Sequence, residues 1–108
     1  MIRGTTPRHI FILPNNTNEY SNMLITYRQN NCIKLEKQLS DLTVEEDRVW
    51  VRLTQEETFA FEEDKLFIEL KVLTNDGRAL SSATYSVPVI SSLTNKVLTA
   101  VEVENNEG

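Results

Sequence analysis

Residues Lys65–Val87, KLFIELKVLTNDGRALSSATYSV, read as two β-strands joined at Asn75-Asp76-Gly77. Leu66, Ile68, Leu70 and Val72 alternate on the first arm, and Ala83, Tyr85 and Val87 on the second. Strict period-two alternation gives a strand one buried and one polar face. Asp-Gly between two such runs is a hairpin signal, because a type I′ turn needs positive φ at both central residues. A two-residue Asp76-Gly77 loop sets Leu70 opposite Ala83, Ile68 opposite Tyr85 and Leu66 opposite Val87. A three-residue loop faces Leu70 with Ser82 and turns one apolar set to water, so an even loop is expected.

Working outward, Met23, Ile25 and Tyr27 alternate in an earlier strand, and Ile33 and Leu35 in the next. A two-residue Asn30-Asn31 loop would face Tyr27 with Lys34. A three-residue loop, Gln29 to Asn31, instead faces Tyr27 with Ile33 and Ile25 with Leu35, with Asn31 taking the left-handed conformation. His9–Leu13 reads as a first strand stopped by Pro14, Leu42–Val44 as a short edge strand, and Val49–Leu53 as a strand with Val49, Val51 and Leu53 on one side. Thr54 and Glu57 have the capping-box spacing, which predicts one or two helical turns crossing between sheets above a packed phenylalanine. Pro88 cannot donate a ladder hydrogen bond, so the last strand of the hairpin is an edge or carries a bulge. Short strands with frequent turns and almost no helix predict an all-β, antiparallel immunoglobulin-like β-sandwich with one short helical turn, a small barrel being the alternative. Residues 1–92 form the sandwich domain and 93–108 a C-terminal arm or frayed tail, where Val97, Val101 and Val103 have the spacing of a last strand.

Several functions are poorly supplied. The net charge is −5, and no cluster of Lys and Arg is present to neutralise phosphates or an anionic bilayer, so nucleic acid and membrane insertion are not expected. No apolar run approaches the length of a membrane helix, and the first residues lack the apolar core of a signal peptide. Cys32 is the single cysteine, which precludes an internal disulfide and suits synthesis in a reducing cytoplasm. His9 is the single histidine, within a strand and not beside an activated Ser or Cys. One Cys and one His cannot close a zinc site, and three glycines make no phosphate loop. The acidic runs Glu45-Glu46-Asp47 and Glu62-Glu63-Asp64 lack the spacing of a calcium loop and read as solvated turns. The expectation is a non-enzyme with no metal and no cofactor.

Trp50 has the opposite parity to Val49, Val51 and Leu53 and so points to the other face of its sheet, where Phe67 is a candidate neighbour. Either a loop, the helical turn or the tail covers this pair, or the two form an exposed aromatic patch for a partner or a sugar ring.

The opening Met1–Pro7 with Phe11-Ile12-Leu13-Pro14, together with Tyr27–Asn30, Leu53–Thr58 and Leu73–Gly77, resembles small proteins encoded by prophages and related mobile elements of Gram-positive bacteria. The early Phe-x-Leu-Pro strand and the Asp-Gly before the last strand are also similar to the N-terminal β-sandwich of phage baseplate upper proteins. The resemblance spans roughly residues 1–90 and concerns scaffold and turn residues. It implies a structural component of a virion, tail or baseplate, made in the bacterial cytoplasm.

Two functions follow as expectations. The first is a structural protein of a phage or prophage particle that associates with itself or with tail proteins. Trp50, Phe67, Val97, Leu98, Val101 and Val103 are its candidate interface residues, and the tail is an arm able to add a strand to a neighbour's sheet. The second is a module that binds host-surface glycan or a bacterial protein through exposed aromatics such as Trp50, Tyr20 or Phe67.

Overall fold

The computed structural model describes residues 1–101. Its eight strands are β1 (Arg8–Ile12), β2 (Tyr20–Gln29), β3 (Cys32–Gln38), β4 (Thr43–Val44), β5 (Arg48–Arg52), β6 (Lys65–Thr74), β7 (Ala79–Ser81) and β8 (Tyr85–Pro88). They form two antiparallel sheets, β1-β5-β4 and β3-β2-β6, with β7 and β8 sharing the far edge of β6. One short helix, α1 (Gln55–Phe59), carries the chain from β5 in the first sheet to β6 in the second. It begins as expected: Thr54 accepts from the Glu57 N–H, and the Glu57 carboxylate accepts from the Thr54 N–H.

The order of strands matches an immunoglobulin sandwich. There, one sheet runs A-B-E-D and the other C-F-G, with C′ beside C in the variable type. Here β1, β5 and β4 take the places of B, E and D, while β3, β2, β6 and β7/β8 take those of C′, C, F and G. The fold is therefore an all-β, antiparallel immunoglobulin-like sandwich. No described strand occupies the place of A beside β1. The first residues instead cross below, with a parallel bridge between Ile2 and Ile90.

The alternating sets meet between the sheets. Met23, Ile25 and Tyr27 of β2, Val49 and Val51 of β5, and Leu66, Ile68, Leu70 and Val72 of β6 are all buried, with Leu53, Phe61 and Val89 completing the core. Each such side chain removed from water contributes about 1.5–3 kcal/mol, and this fixes which face of each strand turns inward. Phe61 is the phenylalanine expected beneath the helical turn.

Both hairpin loops differ in length from expectation, for one physical reason. Asn30 and Asn31 both have positive φ, +50° and +63°, so β2 and β3 are joined by a two-residue loop and not by three residues. Gln29 faces Cys32 and Arg28 faces Ile33, after which the register slips and Tyr27 faces Leu35. Lys34 is the extra residue of a β-bulge, which returns Leu35 to the core side while leaving Ile33 exposed.

The central hairpin shows the converse. Its loop is Asn75–Gly77, closed by Gly77 N–H to Thr74 C=O at 3.0 Å and Thr74 N–H to Arg78 C=O at 2.8 Å, with Gly77 at φ +92°. Near the turn Val72 faces Leu80, yet beyond it Ile68 faces Tyr85 and Leu66 faces Val87, as the alternation requires. Ser82–Thr84 absorb the difference. Leu70 lies against Ser82, whose Oγ accepts the Leu70 N–H at 3.0 Å in place of a ladder carbonyl. A bulge costs one unpaired residue, whereas a slipped register would expose a whole apolar set, so the bulge wins.

Candidate functional site

The vacant place of strand A leaves one flank of the sandwich open. Leu13 N–H donates to Asp47 C=O, and Leu53 N–H donates to Pro7 C=O. In an antiparallel pair the bonding direction alternates, so the odd residues of β1 bond to β5. The peptide groups of Arg8, Ile10 and Ile12 therefore face outward along an edge that no described strand pairs. A groove of about 690 Å³ runs between this edge and the β7–β8 side of the other sheet. Its floor is the core surface of Ile68, Leu70 and Val72, and its rims include Phe11, Leu80 and Tyr85. The Phe11 and Tyr85 rings, 6.0 Å apart, partly bridge it. Leu80 and Tyr85 are about half exposed although both lie on the inner side of their sheet.

Two polar side chains of the groove, His9 and Ser82, are already engaged. His9 Nδ1 lies 2.7 Å from the Tyr27 hydroxyl. Ser82 Oγ accepts from Leu70 N–H and donates to Ala83 C=O. Burial holds the His9 imidazole below its ordinary pKa and pushes the Tyr27 hydroxyl up. No group of three metal-ligating side chains occurs among the described residues. What the site offers is an apolar trough beside a row of unpaired peptide groups. That chemistry suits the addition of a β-strand.

The expected interface residues do not come together. Trp50 does point away from Val49 and Val51, on the outer face of the small sheet, half-buried beside Ile10 and Thr43. Phe67 lies on the outer face of the other sheet, so the two aromatics sit on opposite sides of the sandwich. Arg8 covers Trp50, its guanidinium carbon 4.5 Å from the ring centroid. Tyr20 lines the top of the groove.

Residues 91–101 form no regular strand, so the expected final strand is absent there; Val97, Leu98 and Val101 are exposed, and Val103 lies outside the described residues. Leu98 is instead gripped by Gln55. The Gln55 side-chain amide donates to Leu98 C=O at 2.9 Å, and its oxygen accepts Leu98 N–H at 2.8 Å.

Arg8, Ile10 and Leu80 are the site residues that alternation did not single out. The available signal was the unbroken apolar run Ile10–Leu13. A run without alternation in an antiparallel strand indicates that both faces carry apolar residues.

No protein-family model matches the chain, and no curated protein matches it. Among solved structures it is similar to the V domain of amphioxus IgVJ-C2, at 10% identity over 82% of this chain and 96% of that one, with a TM-score of 0.35. The immunoglobulin-like assignment rests on strand order and not on this distant likeness. No described helix is long and apolar enough to cross a membrane.

Proposed function

We propose that this chain is a non-enzymatic assembly component of a phage or prophage particle, acting through protein–protein contacts. The observation that carries the reading is the open flank: an unpaired edge strand beside an apolar groove. Unpaired edges invite another chain, and sandwiches that do not use them commonly blunt them with charge, proline or a covering loop. The β1 edge has none of these across Ile10–Ile12. The resemblance to prophage-encoded proteins supports the setting. Its first and third stretches meet in this fold, where Thr58 Oγ accepts Gly4 N–H and donates to Thr5 C=O. They brace the closed end of the sandwich and leave the flank free.

The test is to induce the element in its host, purify the released particles on a density gradient and examine them by mass spectrometry. The chain is expected in the particle fraction at a fixed ratio to tail proteins. Its presence only in the soluble cell extract would overturn the reading.

A second reading, a module that binds host-surface glycan or a bacterial protein, is favoured by the outer face of Trp50 and Ile10. The Arg8 guanidinium already occupies one face of the indole, so a sugar could stack there only by displacing it. Trp50 emission unchanged across a broad glycan panel would dispose of the sugar version.

A further inference from the structure

We infer that the vacant place of strand A is filled by residues Val97–Glu104 of a second copy of this chain. The inference rests on the assembly reading and gives it a partner, a site and a register.

The segment has two complementary faces. Taken as a strand, Val97, Thr99, Val101 and Val103 fall on one side, and Leu98, Ala100, Glu102 and Glu104 on the other. A strand added to β1 turns its two sides as β1 does. On β1, His9 and Phe11 face the groove, while Arg8, Ile10 and Ile12 face outward. The valine side of the segment therefore meets the apolar groove, and the other side continues the outer face.

Register can be tested residue by residue. An antiparallel pairing with Glu102 opposite Arg8 sets Ala100 opposite Ile10 and Leu98 opposite Ile12. Charge then meets charge and apolar meets apolar at all three outward positions. Moving the antiparallel register by two sets Glu102 against Ile10 in one direction, and in the other sets Ala100 against Arg8 and leaves that arginine without its charge partner. The parallel pairings with Leu98 or Glu102 opposite Arg8 set a glutamate against Ile12 or Ile10. Only the first arrangement has no mismatch among these.

That register also selects a second copy over the same chain. It needs Leu98 at the Ile12 end of β1. Within one chain Gln55 holds Leu98 at the opposite end, because Gln55 follows Leu53, and Leu53 bonds to Pro7 just before Arg8. The Gln55 grip thus keeps the segment from its own flank. Donation to a neighbour requires its release.

The experiment uses the full chain and four variants: Ala100→Pro, Gln55→Ala, Arg8→Glu, and Arg8→Glu with Glu102→Arg. Light scattering over a wide concentration range gives the mass, amide hydrogen exchange reports the β1 edge, and circular dichroism confirms that each variant is folded. The native chain is expected to associate, with slowed exchange at Arg8, Ile10 and Ile12. Ala100→Pro removes the N–H that would donate to Ile10 C=O and is expected to weaken association by about tenfold or more. Gln55→Ala should strengthen it. Arg8→Glu should weaken it, and the double charge reversal should restore it.

Association of Ala100→Pro equal to that of the native chain would overturn the inference while leaving the assembly reading in place. Failure of the charge reversal to restore association would overturn the register. A native chain that stays monomeric with fast-exchanging β1 amides would overturn self-donation, and the particle measurement would then decide the assembly reading separately. A monomer with slow β1 amides that Ala100→Pro accelerates would place the segment in its own flank and overturn the second copy.

Discussion

His9 Nδ1 lies 2.7 Å from the Tyr27 hydroxyl, joining β1 of one sheet to β2 of the other across the interior. Tyr27 is fully buried, and its ring also packs against Phe61 at 5.9 Å. Burial disfavours a charge on either partner, which lowers the His9 pKa and raises that of Tyr27.

The two shifts bound stability from both sides. Below about pH 6.5 the unfolded histidine takes up a proton that the folded one resists, so stability falls as pH drops from there toward the lowered folded value. Above about pH 10 the unfolded tyrosine loses a proton that the folded one keeps, so stability falls as pH rises. The melting temperature is therefore expected to be highest between these limits. His9→Gln should flatten the part of the acid limb above the carboxylate range, and Tyr27→Phe the alkaline limb. Scanning calorimetry at a series of pH values checks this, and unchanged limbs in both variants would refute it.

Gln29 is fully buried, and its side chain pairs with the Glu62 backbone as a strand would. The amide nitrogen donates to Glu62 C=O and the oxygen accepts Glu62 N–H, each at 2.8 Å. This fixes the turn between α1 and β6. Gln29→Ala leaves those backbone groups without partners and should destabilise the fold by about 1–3 kcal/mol. The urea midpoint should fall with an unchanged slope. A midpoint within error of the native value would mean that water replaces the amide at no cost.

The parts of the fold legible in the sequence were those that depend on period-two alternation. Val49, Val51 and Leu53 announced their inward face, and with it the outward face of Trp50. Thr54 and Glu57 announced α1. The two loop lengths were not legible, because the pairing of residues far from a loop does not fix its length. A bulge separates those two things: Lys34 in β3 and the Ser82–Thr84 step let either loop length serve the same core. The flank was not legible because it is made by strands remote in sequence, β1 and β7–β8, with no described strand between them. The valines at 97, 101 and 103 did carry the mark of a strand, but a strand needs an edge. Among the described residues, Gln55 holds Leu98 away from that edge.

Gly4 has φ +82°, and a Cβ there would lie 2.3 Å from Phe59 Cζ. The Phe59 ring is the platform on which the first residues sit, with Arg3 donating to Phe59 C=O at 2.7 Å and Gly4 N–H donating to Thr58 Oγ at 2.9 Å. Gly4→Ala meets both a left-handed backbone and a ring that must move. The backbone alone costs about 1–2 kcal/mol. The expected result is a lower melting temperature together with faster amide exchange at Gly4 and across residues 1–6. A variant as stable as the native chain would show that the first residues rearrange freely around α1.

Arg8 and Trp50 are diagonal neighbours across the β1–β5 pair, and their contact stands on the outer surface where solvent screens it. Trp50 is half-buried and outside the core, so Trp50→Ala should keep a cooperative unfolding transition and lose about 1–2 kcal/mol, less than a core aromatic. Arg8→Ala removes the cation over the ring, and as Trp50 is the single tryptophan, its emission reports the loss directly. A double-mutant cycle should return a coupling of about 0.5–1 kcal/mol, the size of an exposed cation–π contact. Zero coupling would mean that Arg8 lies over the ring without stabilising it, and that the indole face is open to whatever approaches this side of the sandwich.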